Sequence, residues 1–382
     1  MTVVRTYLDF NATAPLRPEA KAAVIAALEE FGNPSSVHDE GRRARAIVEK
    51  AREDVARLVG AKAAEVVFTA SGTEGAGAVL AMDWDTVIVS KAEHSAVLAA
   101  ARRAAERRAR ILEIDVTAEG SIDVVACERA LETAVADGGQ VLIALQMANN
   151  ETGVVQPCAP LFARARELGA AVLCDTVQTA GRVRVDCAAL GADYIVLSGH
   201  KIGAPKGSGA LIVREGARFV PLLRGGGQEK NRRAGTENVA GIAGLGAAAR
   251  VALQDYDGFE RLRAMRERLE KGVRELTPEA QILGEGTERL ANTSAILLPG
   301  RRGETLVIAL DLAGIAVSSG AACSSGKVGR SHVLEAMGLD AEAAQSAIRV
   351  SLGWSSVPED IDRFLAAWAD IARREAVTRR VA

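Results

Sequence analysis

The chain has 382 residues, of which 48% are hydrophobic, enough for a sizeable core and for about two to three domains. A net charge of −2 with acids and bases interspersed, and only 3% aromatic residues, exclude a basic nucleic-acid face and a base-stacking platform. Five cysteines without a C-x-x-C pair, four histidines without ligand spacing, and no apolar run near about 18 residues exclude a disulfide scaffold, a zinc site and a membrane span. The start, "MTVVRTYLDFNATAP", lacks a basic region followed by an apolar stretch, so no signal peptide and a reducing, cytoplasmic setting are expected.

In chain order, residues 17–31 predict a helix, with Pro18 in its first turn and Ala20, Val24, Ala27, Leu28 and Phe31 on one face. Residues 41–59 predict a second helix through Ala44, Ile47, Val48, Ala51, Val55 and Leu58, stopped at Gly60. Seven short apolar runs follow: "EVVFTA", "DTVIVS", "ARILEID", "VLIALQMA", "AVLCD", "YIVLS" and "GALIVR". Helical patterns separate most of the early ones, which predicts a mostly parallel sheet covered on both faces. From about residue 236 the pattern changes. Helices are predicted over 236–255 and 257–276. The strand-like "TSAILLPG", "IAVSS" and "AIRVSLG", a helix near 304–313 and a last helix from Pro358 make a smaller α+β unit. The expected division is a large domain, 15–255, and a small one formed by 1–14 with 256–382.

In open parallel sheets, ligands bind beyond the carboxyl ends of the strands. Five such ends carry chemistry: "SGTEG", "KAEHS", "NNETG", Asp175 followed by "TVQT", and "GHKIGAPKGSG". "SGTEG" opens a helix directly after a strand, where free N–H groups and the helix dipole suit a phosphate. It is neither a Walker A loop nor a dinucleotide fingerprint. Lys201 ends one strand in "SGHK" and Asp175 ends another. A lysine able to form a Schiff base, with a carboxylate opposite a pyridinium nitrogen, is the site pyridoxal phosphate requires. His94 is a candidate ring over that cofactor; otherwise it is a helix-start histidine.

Cys323 stands apart, in "SSGAACSSGK", with no large apolar side chain within four residues. The run predicts an exposed thiol on a loose loop. Lys327 and Arg330 nearby favour its thiolate.

"LDFNATAP", "FGNPSSVH", "KAEHSAV", "NNETGVVQP", "SGHKIGAPKG", "RRAGTENV", "SSGAAC" and "AIRVSLG" occur in order between residues 8 and 353. Together they resemble the cysteine desulfurases of the Isc/Nif branch of class V pyridoxal phosphate enzymes. The resemblance implies a fold-type I α/β transferase with a large, mostly parallel sheet domain and a smaller α+β domain. It implies removal of sulfur from L-cysteine, giving L-alanine and a persulfide on Cys323 that passes to an acceptor such as an iron–sulfur scaffold. It implies that Lys201 holds pyridoxal 5′-phosphate and moves protons. Asp175 would pair with the ring nitrogen, Gln178 with the ring hydroxyl, and His94 would stack on the ring. Gly72, Thr73, Ser198 and His200 would hold the phosphate, with Thr236 reaching the phosphate of a second subunit, hence a homodimer. Asn150 and Arg349 would bind the substrate carboxylate. Three departures from the family pattern stand out: Ser71 in place of a glycine, Thr176 in place of an alanine, and Gly203-Ala204 after the lysine. The alternatives are a related class V enzyme (aminotransferase, selenocysteine lyase or kynureninase-like hydrolase) and a catalytically idle cofactor-binding assembly partner.

Overall fold

The computed structural model describes residues 5–320 and 330–381. All seven apolar runs form one sheet. Its strands are β1 (Val66–Thr69), β2 (Thr86–Ser90), β3 (Arg110–Ile114), β4 (Val141–Gln146), β5 (Ala171–Asp175), β6 (Tyr194–Ser198) and β7 (Gly209–Val213). The order across the sheet is β1-β7-β6-β5-β4-β2-β3. Every pairing from β6 to β3 is parallel, whereas β7 runs antiparallel to both β6 and β1. Side chains alternate between two cores. In β4, Ile143 and Leu145 pack on one face while Leu142 and Ala144 pack on the other. That double burial is why these strands read as unbroken apolar runs rather than as alternation.

Helix α1 (Pro18–Leu28) and α2 (Asp39–Leu58) lie against α5 (Val239–Gln254), with α3 (Gly72–Leu80) and α4 (Ser95–Glu106) following β1 and β2. Gly60 adopts φ +61°, the left-handed conformation that ends α2. The expectation for the first helix is corrected at its end. It stops at Leu28, and Leu28 and Phe31 are 69% and 84% exposed. Small residues make the approaches to α5: a Cβ on Gly244 would lie 2.8 Å from Val24 Cγ2 of α1, and one on Gly246 would lie 2.5 Å from the Cα of Ala51 in α2.

A second sheet, in the order β10-β11-β9-β8, is formed by β8 (Gln281–Ile282), β9 (Thr293–Leu297), β10 (Ser318–Ser319) and β11 (Ala347–Ser351). It packs with α6 (Tyr256–Leu276) and α7 (Pro358–Val381) around Leu262, Ile296, Ile348, Phe364 and Trp368. Leu8 belongs to this second core, and Thr6–Tyr7 pairs in parallel with Ile315–Ala316. The N-terminal segment is therefore built into the C-terminal unit. No described helix is long and apolar enough to cross a membrane.

Candidate active site

The carboxyl ends of β1, β2, β4, β5 and β6 reach one edge of the large sheet, and a single cavity opens there. Gly72 and Thr73 line it, as do His94, Asn150, Asp175, Gln178, Ser198, His200 and Lys201. These are residues that the sequence placed at a common site from five separate motifs.

One end of the cavity is the start of α3. Ser71 caps it, its Oγ accepting from the Glu74 N–H at 3.2 Å. Ser71 has φ −169°, extended backbone open to any residue, so serine in place of glycine carries no strain here. The close fit falls one residue later: a Cβ on Gly72 would lie 2.8 Å from Val177 Cγ2. Thr176, the second departure, is buried and donates its hydroxyl to Val196 O at 2.9 Å. Gly203, the third, has φ +84°, and a Cβ there would strike Arg17 Cγ at 2.6 Å, so glycine lets the N-terminal segment pass close to Lys201.

Asp175 closes β5, its Oδ1 accepting from the Val177 N–H at 2.8 Å. Burial raises its carboxyl to about 6, against the pull of the Val177 N–H and Lys201. His94 caps α4 by accepting from the Ala96 N–H at 3.1 Å, and it also lines the cavity. Burial, then the charges of Lys201 and His332, lower it to about 4. His200 is lowered to about 4 as well, by burial, Lys201, Lys206 and Arg182. Both imidazoles are neutral at pH 7. The Lys201 ammonium donates to Asn11 O and, at 3.0 Å, to Ala12 O.

Arg349, on β11, is 1% exposed and sits behind the cavity wall rather than on it. Its Nη1 donates to Asn150 O at 2.9 Å and its Nη2 to Asp9 Oδ1 at 2.8 Å. Its Nε finds no acceptor among the described residues. Thr236 is exposed and lines a different cavity, with Thr69, Ser208 and Glu237. Cys323 lies outside the described residues.

Several residues of the site escaped the sequence. The Asn11 side chain accepts from Arg182 Nη1 at 2.6 Å and donates to Asn150 O at 3.2 Å, tying the N-terminal segment to the wall. Arg182 also donates to Gln178 Oε1 at 2.6 Å, which orients that amide. Glu93 is fully buried, one oxygen accepting from the Gln146 N–H at 3.0 Å, and burial raises its carboxyl well above the ordinary carboxylate value. Their only signal was position, Asn11 inside the quoted "LDFNATAP" and Glu93 beside His94 in "KAEHS".

Residues 6–364 match the family aminotransferase class-V. The chain belongs to that family, in its cysteine desulfurase branch. A cysteine desulfurase of Cereibacter sphaeroides is 43% identical over 370 residues, covering 94% of this chain and 94% of its own. A NifS-like protein from Rickettsia africae superposes with a TM-score of 0.88 at 34% identity, covering 96% of this chain and 99% of its own. A structure described as SspA in complex with cysteine superposes at 0.79 with 27% identity, covering 92% of this chain and all of its own. The family membership makes this chain an enzyme of the fold-type I α/β class, and the observed sheet is of that kind.

Proposed function

We propose that this cysteine desulfurase binds pyridoxal 5′-phosphate in the strand-end cavity and takes sulfur from L-cysteine onto Cys323. The observation that carries the reading is the convergence on one cavity of a helix N-terminus, a buried carboxyl, a neutral imidazole and a lysine. The fit is good on local grounds: Gly72 leaves the helix start bare of a Cβ, and Asp175 is a buried carboxyl raised to about 6 that a cationic ring nitrogen would hold ionised. The cofactor supplies an electron sink that stabilises negative charge developing on the substrate carbon.

The chain's own groups do the rest. Gly72, Thr73, Ser198 and His200 hold the phosphate, Asp175 the ring nitrogen and Gln178 the ring hydroxyl. His94, uncharged, covers the ring face. Lys201, tethered to the Asn11 and Ala12 carbonyls, is placed to hold the aldehyde carbon and to move a proton at the substrate. Arg349, held behind the cavity wall by Asp9 and Asn150, is the guanidinium for the substrate carboxylate. The Cys323 thiolate bonds to the substrate sulfur. The carbon–sulfur bond breaks with its electron pair left on carbon, and a proton there gives alanine.

Two copies make the working unit, with Thr236 of each reaching the other's phosphate. Support comes from Thr236 lying away from its own cavity, and from Leu28, Phe31 and Val37 standing exposed. The sulfur passes to an acceptor such as an iron–sulfur scaffold, in the cytoplasm, and the domains are 15–255 against 1–14 with 256–382, a division supported by Leu8 packing with Leu262 and Ile348. Cys323→Ser incubated with cysteine tests the central claim. It should gain no sulfur mass and release no sulfide; sulfide release at the wild-type rate moves the protein to the lyases or aminotransferases.

A further inference from the structure

We infer that Arg233 is a positioning residue for the cofactor phosphate and acts through Glu74, an inference that rests on the cofactor reading above. Glu74 follows Thr73 in the first turn of α3. Its carboxylate folds back on the turn, Oε2 accepting from the Ala70 N–H at 2.8 Å and Oε1 from Arg233 Nε at 2.9 Å. A negative charge there suits the helix dipole, but it also competes with the phosphate that the same helix start must hold. Like charges sharing one site oppose each other's ionised form. Among the described residues Arg233 is the cation paired with Glu74. That ion pair cancels the carboxylate and leaves the free N–H groups of the turn for phosphate.

The fold goes to some length to deliver Arg233. Glu229, Lys230 and Asn231, just before it, adopt φ of +48°, +56° and +65°. Left-handed backbone in consecutive residues other than glycine is strained, and persists only where the surroundings enforce it. The enforcement is visible: Glu229 is buried and takes two bonds from Arg52, at 2.6 and 2.8 Å, and a third from the Phe68 N–H at 3.0 Å. Glu237 borders the same cavity as Arg233 but makes no ion pair with it, so Arg233 is committed to Glu74.

The test uses the full chain stripped of cofactor, titrated with pyridoxal phosphate and, separately, with pyridoxal, which lacks the phosphate. Arg233→Gln should raise the Kd for pyridoxal phosphate about tenfold and change that for pyridoxal less than about twofold. Adding Glu74→Gln to Arg233→Gln should restore the affinity to within about threefold of wild type, and Arg233→Lys should keep it there. The melting temperature of each stripped variant reports folding independently. Equal losses for the two ligands, a double variant as weak as Arg233→Gln, an Arg233→Lys as weak as Arg233→Gln, or an unchanged Arg233→Gln each overturn the inference. A wild-type chain that does not bind pyridoxal phosphate at all overturns the cofactor reading itself.

Discussion

The site has two walls of different origin. On the wall built by the large sheet, each side chain follows its own strand by a few residues and is held by its own backbone. His94 accepts from Ala96 N–H and Asp175 from Val177 N–H, both two positions on. On the opposite side, Arg349 sits inside β11 and takes its partners from 199 and 340 positions away, Asn150 and Asp9. The first wall is assembled by local turns on a preformed sheet edge. The second exists only once the N-terminal segment, the loop after β4 and β11 have met. The first keeps its imidazoles neutral, while the second pairs a buried guanidinium with a carboxylate.

That contrast is open to attack from both sides. The largest effect is expected on the first wall. Lys201→Ala should lower turnover by at least about 10³-fold, because the covalent hold on the cofactor and the proton carrier go together. Borohydride should fix pyridoxal phosphate to the wild-type peptide containing Lys201, and label on any other lysine refutes that placement. Asp9→Ala strikes the second wall at its far end. It leaves the Arg349 guanidinium buried without its carboxylate and should cost about 3 kcal/mol in denaturant unfolding. A cost below about 1 kcal/mol would mean that the pairing is incidental.

Arg349→Lys should raise the KM for cysteine about tenfold while leaving the cofactor's absorbance unchanged, since lysine loses the planar fork. Equal damage to cofactor and substrate binding would make Arg349 a structural residue. The smallest effect is a pH slope. His94 falls from 6.5 to about 4 in the folded chain, so between those values the unfolded chain binds the extra proton and acid destabilises the fold. Asp175 rises from 3.8 to about 6, so there the folded chain binds the extra proton, with the opposite sign. In the stripped protein, His94→Asn should flatten the loss of stability from pH 6.5 to 4, and Asp175→Asn should steepen it. Unfolding midpoints measured across that range decide the matter.

The sequence by itself determined the seven strands, the helix starts that follow them and the residues at their ends. In a sheet buried on both faces the apolar run is the strand, and the polar residue that ends it must lie at the sheet edge. It also determined that His94 opens a helix, because a side chain capping the turn two residues on is a local event. It could not determine which side of a helix faces inward once small residues govern the packing. α1 meets α5 where Gly244 leaves room for Val24, and Leu28 and Phe31 stay in solvent. Nor could it reveal Asp9 beside Arg349, Arg182 behind Gln178, or Arg233 on Glu74. Each of those pairs is made by groups whose charge or hydrogen bonding has no signature in its own neighbourhood. Only the tertiary structure decided them, because burial removes water and leaves each charged group to be satisfied by whatever distant chain the fold brings within hydrogen-bond reach.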